Sequence, residues 1–112
     1  MDQCYTEKPR IHGEDVQLLA EPEVTKLAAV AKALSDPTRL QMICLLGQCP
    51  DVCTCEFEEI LGLSQSKVSY HLKALTEAGI IIRKTYGTWS HYSLVQPKIL
   101  DRLNKVVTPH TF

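Results

Sequence analysis

Apolar positions recur along this chain at two spacings, and the change from one to the other outlines its architecture. Over Glu21–Leu34, Val24, Leu27, Ala28, Ala31 and Leu34 fall three and four residues apart, the spacing of one helix face. Pro22 stands in the first turn, where a missing N–H costs nothing. Asp36-Pro37 then supplies an N-cap and a first helical residue for a second helix running to about Gly47. Its apolar positions are Leu40, Ile43, Cys44 and Leu46, and Cys49-Pro50-Asp51 breaks it. A short third helix is expected over Cys55–Leu61, with Phe57, Ile60 and Leu61 inward. Gly62-Leu63-Ser64 makes a tight turn, and Ser64 caps a fourth helix, Gln65–Ala78, whose buried stripe is Val68, Leu72 and Leu75. Gly79 ends it.

Beyond Gly79 the pattern becomes that of strands. Ile80–Thr85 and Ser90–Val95 flank Tyr86-Gly87-Thr88-Trp89, which predicts a β-hairpin with glycine in the turn. A last helix is expected over Pro97–Val107, with Ile99, Leu100, Leu103 and Val107 apolar. Residues 1–20 have no clean periodicity and read as a mobile arm, with a short helix near Val16–Ala20; residues 108–112 read as a tail. Between them, residues 21–107 form one domain: mainly α with a small β-hairpin, the order of a winged helix-turn-helix.

Charge separates along the chain. Residues 1–63 hold eleven Asp/Glu and five Lys/Arg, a balance of −6; residues 64–112 hold two and seven, a balance of +5. The basic half coincides with the expected DNA-reading helix and hairpin, so double-stranded operator DNA is the expected partner. Gln65, Ser66, Lys67, Ser69, Tyr70 and Lys73 occupy the side of the fourth helix away from the stripe. Glutamine can pair with adenine, serine adapts, and lysine neutralises phosphate. Arg83, Lys84 and Tyr86 lie towards the hairpin tip, where a wing reaches along the DNA backbone. His71 reads as a half-buried histidine bonded to a neighbouring helix, and Trp89 and Tyr92 as packing residues. No apolar run is long enough to span a membrane, and the start lacks the features of a signal peptide, so the expected location is the cytosol.

Five cysteines are many for 112 residues and odd in number, which in a reducing compartment favours thiols or metal ligands over disulfides. Cys53 and Cys55 form a Cys-x-Cys pair, and soft thiolates suit soft ions. Cys55 begins a helix, whose dipole favours the thiolate. Positions two apart on a regular helix diverge by roughly 200°, so the pair is expected to clasp one ion only where the backbone is non-helical. Ion binding would then pull on the third helix. Cys44, on the apolar stripe, is expected in the core.

Three stretches carry a family resemblance: Ala33-Leu34-Ser35-Asp36-Pro37-Thr38-Arg39-Leu40, Leu63 to Leu75 followed by Ala78-Gly79-Ile80-Ile81, and Gly87-Thr88-Trp89-Ser90-His91-Tyr92. Over about residues 24–105 the chain resembles the ArsR/SmtB metalloregulators. That resemblance implies a homodimer built on the first and last helices and a repressor that its inducing ion releases from DNA. Asp51-Val52-Cys53-Thr54-Cys55-Glu56-Phe57 is similar to the Cys-x-Cys motif of the arsenic repressors and of the cadmium/lead branch. Where one arsenic branch has a third cysteine, this chain has Glu58. The third ligand is then Cys49, or Cys4 reaching over from the partner subunit, or a water or hydroxide beside two thiolates. Four-thiolate Cd(II) or Pb(II) binding needs both Cys4 and Cys49, so As(III) or Sb(III) is the preferred inducer. The zinc-sensing pattern is missing from the last helix, which offers Asp101 but no histidine at helical spacing; His110 lies beyond Pro109. A thiol redox switch on the same cysteines is the alternative signal, although no basic residue flanks the pair. A thiol enzyme is not expected: there is no Cys-x-x-Cys within a βαβ pattern, and no histidine neighbours the pair in sequence.

Overall fold

A computed structural model describes residues 10–107; Cys4 and His110 lie outside the described residues. Gly13–Asp15 forms one 3₁₀ turn, and the helix expected near Val16–Ala20 is not formed. Five helices and three strands follow: α1 (Glu21–Ala33), α2 (Pro37–Gln48), β1 (Val52–Cys53), α3 (Thr54–Leu61), α4 (Gln65–Glu77), β2 (Ile81–Tyr86), β3 (Trp89–Leu94) and α5 (Ile99–Val107). This is the winged helix-turn-helix that the pattern predicts, with one strand more.

The caps explain the boundaries. Asp36 Oδ1 accepts the amides of Thr38 and Arg39 at 2.8 and 3.2 Å, and Pro37 opens α2. Ser64 Oγ accepts the Lys67 amide at 3.3 Å at the start of α4. Between α3 and α4, Gly62 takes the left-handed conformation (φ 66°), which lets the chain reverse within a few residues. Gly87 (φ 64°) does the same at the wing tip, where Tyr86 pairs with Trp89.

The core forms where α2, α3, α4 and the sheet meet. Phe57, Met42, Ile43, Leu72, Leu75 and Val68 are its fully buried side chains, with Leu46, Val52, Ile80 and Ile81 around them. Phe57 meets Tyr92 of β3 edge-on at 6.3 Å. The α4 stripe read from the sequence is therefore buried as expected.

Three expectations are corrected. Ile60 is 60% exposed although it stands one turn from buried Phe57 on the eight-residue α3, because the core covers that face at Phe57 and does not extend to Ile60. Trp89 is 59% exposed at the hairpin tip and is not a packing residue, although Tyr92 is. Cys44 is half-buried, its sulfur 3.5 Å from Gln48 Nε2, and Met42 takes the core place instead. On α1, Val24 and Leu27 stay about half exposed within one chain, while Ala33 is buried.

β1 is the unexpected element. Its two residues pair antiparallel with β3, Val52 opposite Tyr92 and Cys53 opposite His91, so the sheet order is β1-β3-β2.

Candidate nucleic-acid interface and thiol site

α4 divides cleanly. Val68, Leu72 and Leu75 face the core, while Gln65, Ser66, Lys67, Ser69, Tyr70 and Lys73 are all exposed. The wing exposes Arg83, Lys84 and Tyr86. Arg83 Nε donates to Ser90 Oγ across the hairpin at 3.1 Å, and the Tyr86 ring meets His91 edge-on at 5.0 Å, so both side chains are braced by β3. All nine residues expected to face DNA thus lie on the surface of the two elements that a winged helix applies to a duplex. His71 is half-buried and accepts from Arg39 Nε of α2 at 3.1 Å, as its sequence context suggests.

The cysteine pair sits at the joint between sheet and helix. Cys53 belongs to β1 and is the residue before α3, with extended backbone (φ −89°, ψ 164°); Cys55 lies in the first turn of α3. Because Cys53 is outside the helix, the divergence of a regular helix does not apply. The two sulfurs lie 2.8 Å apart. The non-helical backbone on which clasping one ion depends is therefore present, and the two thiols are adjacent in the free chain.

Glu56 fixes that arrangement. Its Oε1 accepts the Cys53 amide at 2.8 Å, the capping contact of a helix start. That amide, and then the Cys53 thiol, hold the Glu56 carboxyl below its usual range, against the pull of desolvation and with help from His91. Burial pushes the Cys53 thiol up, and its contacts with Cys55 and the Glu56 carboxylate add to this, opposed by the backbone bond. Cys53 is buried while Cys55 is exposed. His91 Nδ1 lies 3.3 Å from Asp51 Oδ1, out of hydrogen-bond alignment.

Cys55 also opens onto a groove of about 750 Å³ between α3, α4 and the wing. Ser69, Lys73, Arg83 and Trp89 line the same groove. One wall therefore carries a thiol and the others carry the expected DNA-contacting side chains.

Residues 36–83, which contain α2, β1, α3, α4 and the start of the wing, match the family described as "Bacterial regulatory protein, arsR family". An arsenical resistance operon repressor of Bacillus subtilis is 48% identical over 74 residues, spanning 66% of this chain and 70% of that one. The chain belongs to the ArsR family. An uncharacterized HTH-type transcriptional regulator of Methanocaldococcus jannaschii is 35% identical over 81 residues, 72% of this chain and 91% of that one. Among solved structures, the homodimeric winged helix-turn-helix DNA-binding domain of a possible ArsR-family regulator from Mycobacterium bovis superposes with a TM-score of 0.68. It is 27% identical and covers 77% of this chain and 81% of that one. HlyU of Vibrio cholerae also superposes with a TM-score of 0.68, at 25% identity, covering 80% of this chain and all of that one.

This ArsR-family protein is a DNA-binding transcriptional repressor and not an enzyme. No helix among the described residues is long and apolar enough to cross a membrane. The described residues bring Cys53 and Cys55 together but gather no cluster of three or more His, Cys, Asp or Glu that could hold a metal. Cys49 is exposed at the end of α2, and Cys4 lies outside the described residues. Three site residues escaped the sequence reading: Arg39, Glu56 and His91. Glu56 was detectable, since a glutamate three residues after a helix's preceding residue is a capping signal. His91 was not, because its place depends on a two-residue strand formed with a distant segment.

Proposed function

We propose that this repressor binds operator DNA as a homodimer through α4 and the wing, and releases it when trivalent arsenic or antimony is bound by the thiolates of Cys53 and Cys55. The observation that carries the proposal is the 2.8 Å separation of the two sulfurs. Soft trivalent ions prefer thiolate donors, and a pair already adjacent can supply two of them with only a small opening of the sulfurs. Glu58 stands where a third cysteine would be, so a hydroxide or water, or Cys49 or Cys4, completes the set. The name of the B. subtilis relative favours an arsenical over Cd(II) or Pb(II).

Release requires that the ion bind more weakly when DNA is held, since equal binding shifts nothing. The thiol pair bridges two parts that DNA engages indirectly. Cys53 is in β1, paired to the wing strand β3, and Cys55 is in α3, packed on α4. Joining the two thiols fixes the angle between wing and reading helix. A dimer supplies the two-fold symmetry that paired half-sites need. The exposed Val24 and Leu27 of α1 and Val106 of α5 offer an apolar face for it.

Titrating operator-bound protein with arsenite, antimonite, Cd(II), Pb(II) and Zn(II) tests the reading. Arsenite and antimonite should release the DNA at the lowest concentrations. Release by Cd(II) or Pb(II) alone would make this a different sensor, and release by peroxide alone would make it a redox switch.

A further inference from the structure

Arg39 joins three elements on the DNA-facing half. From the first turn of α2 its Nε donates to His71 Nδ1 on α4 at 3.1 Å, and its guanidinium carbon lies 5.6 Å from the centre of the Tyr70 ring. Its Nη1 reaches the Ala33 carbonyl at the end of α1 at 3.5 Å. Asp36 holds the Arg39 backbone in place by accepting its amide. The Tyr70 and His71 rings meet edge-on at 5.1 Å. Tyr70 is 64% exposed on the reading face, while His71 is half-buried behind it.

An exposed tyrosine on a helix samples several rotamers, and freezing it against a duplex costs affinity. A guanidinium over one ring face and an imidazole against its edge remove part of that freedom beforehand. Arginine has only protons to give. His71 Nδ1 must therefore be the acceptor, with any ring proton on Nε2. Acid that protonates Nδ1 removes the acceptor and sets a second positive charge beside the guanidinium.

We infer that Arg39 and His71 are a positioning pair that presents Tyr70 to DNA, and that the pair holds only while His71 Nδ1 is unprotonated. The inference rests on the reading of α4 as the DNA-contacting helix. It predicts a pH dependence of unusual sign. A histidine touching phosphate would strengthen binding in acid, whereas here binding weakens. The charged and titratable groups that face the ring are Arg39 of α2 with Asp36 at its cap, and Tyr70 and, one turn back, Lys67 of α4.

The test uses the full chain and a duplex selected by the wild-type protein from a random pool, with affinity followed from about pH 8 to about pH 5.5. Wild type should lose about tenfold on acidification. His71→Asn keeps a carbonyl oxygen as acceptor but has no proton to gain; it should bind within about twofold of wild type at high pH and lack the acid loss. His71→Ala should bind about tenfold more weakly at high pH, but should add little to Tyr70→Ala, because the pair acts through that ring. Identical pH profiles for wild type and His71→Asn would overturn the inference. So would full costs for His71→Ala in a Tyr70→Ala background. If Tyr70→Ala alone binds as wild type, the reading face itself is wrong and the positioning role falls with it.

Discussion

Cys53 lies opposite His91 in the ladder between β1 and β3, and this pairing ties the first thiol of the Cys-x-Cys pair to the strand that carries the wing. An ion held by Cys53 and Cys55, as proposed, would therefore be felt in two places, at the start of α3 and in the middle of β3. Hydrogen exchange separates this from a signal passing through α3 alone. Arsenite should slow amide exchange in Ser90–Leu94 as well as in Thr54–Leu61. Protection confined to α3 would show that β1 transmits nothing.

Glu56 should matter to ion binding without being a ligand. Its carboxylate keeps Cys53 in extended backbone by accepting that residue's amide. Glu56→Ala should weaken arsenite affinity about tenfold by freeing the Cys53 backbone. Glu56→Gln should stay within about threefold, because glutamine fills the same capping role. Equal losses in both variants, measured by calorimetry, would point to the charge and not to the cap.

Two carboxyls give the fold an acid limb. Glu56 is held below its ordinary value of 4.5, chiefly by the Cys53 amide. Asp36 is held below 3.8: desolvation acts against this, but the amides of Arg39 and Thr38, with the charges of His71 and Arg39, outweigh it. A carboxyl with a depressed folded value stabilises fully above its unfolded value and loses that contribution as pH falls through the folded one. Thermal stability should therefore fall as pH drops below these ordinary values. Asp36→Asn keeps a capping oxygen and should flatten part of that limb. An unchanged acid limb in Asp36→Asn would remove Asp36 from the account.

Lys67 and Lys73 lie exposed on α4 and are assigned to phosphate. Each alanine replacement should lower the slope of log affinity against log salt by about 0.9. Ser69→Ala with Tyr70→Ala should instead reduce discrimination between operator and random duplex. Slopes unchanged in both lysine variants would move the phosphate contacts elsewhere.

Much of this was legible in the sequence. The buried stripe of α4 and the Asp36 and Ser64 caps are local signals, and each holds in the structure. The Cys-x-Cys spacing marked the thiol site as well. Its geometry was hidden, because whether Cys53 is helical depends on its pairing with His91, a partner far along the chain. Ile60 misled for another reason. Helical spacing shows which residues share a face, not whether this chain's own core covers that face. Arg39 stands within the Ala33–Leu40 stretch, but its bond to His71 depends on the packing of α2 on α4, which no local pattern shows.

The central claim is that Cys53 and Cys55 together sense the inducer, and operator release by arsenite from cysteine variants tests it most directly. Cys53→Ser and Cys55→Ser should each bind operator like wild type and fail to let go at arsenite concentrations that free the wild-type protein. Cys44→Ser, away from the pair, should respond normally. If the Cys53→Ser/Cys55→Ser double variant still releases DNA at the wild-type concentration, the sensing site lies elsewhere and the account is wrong.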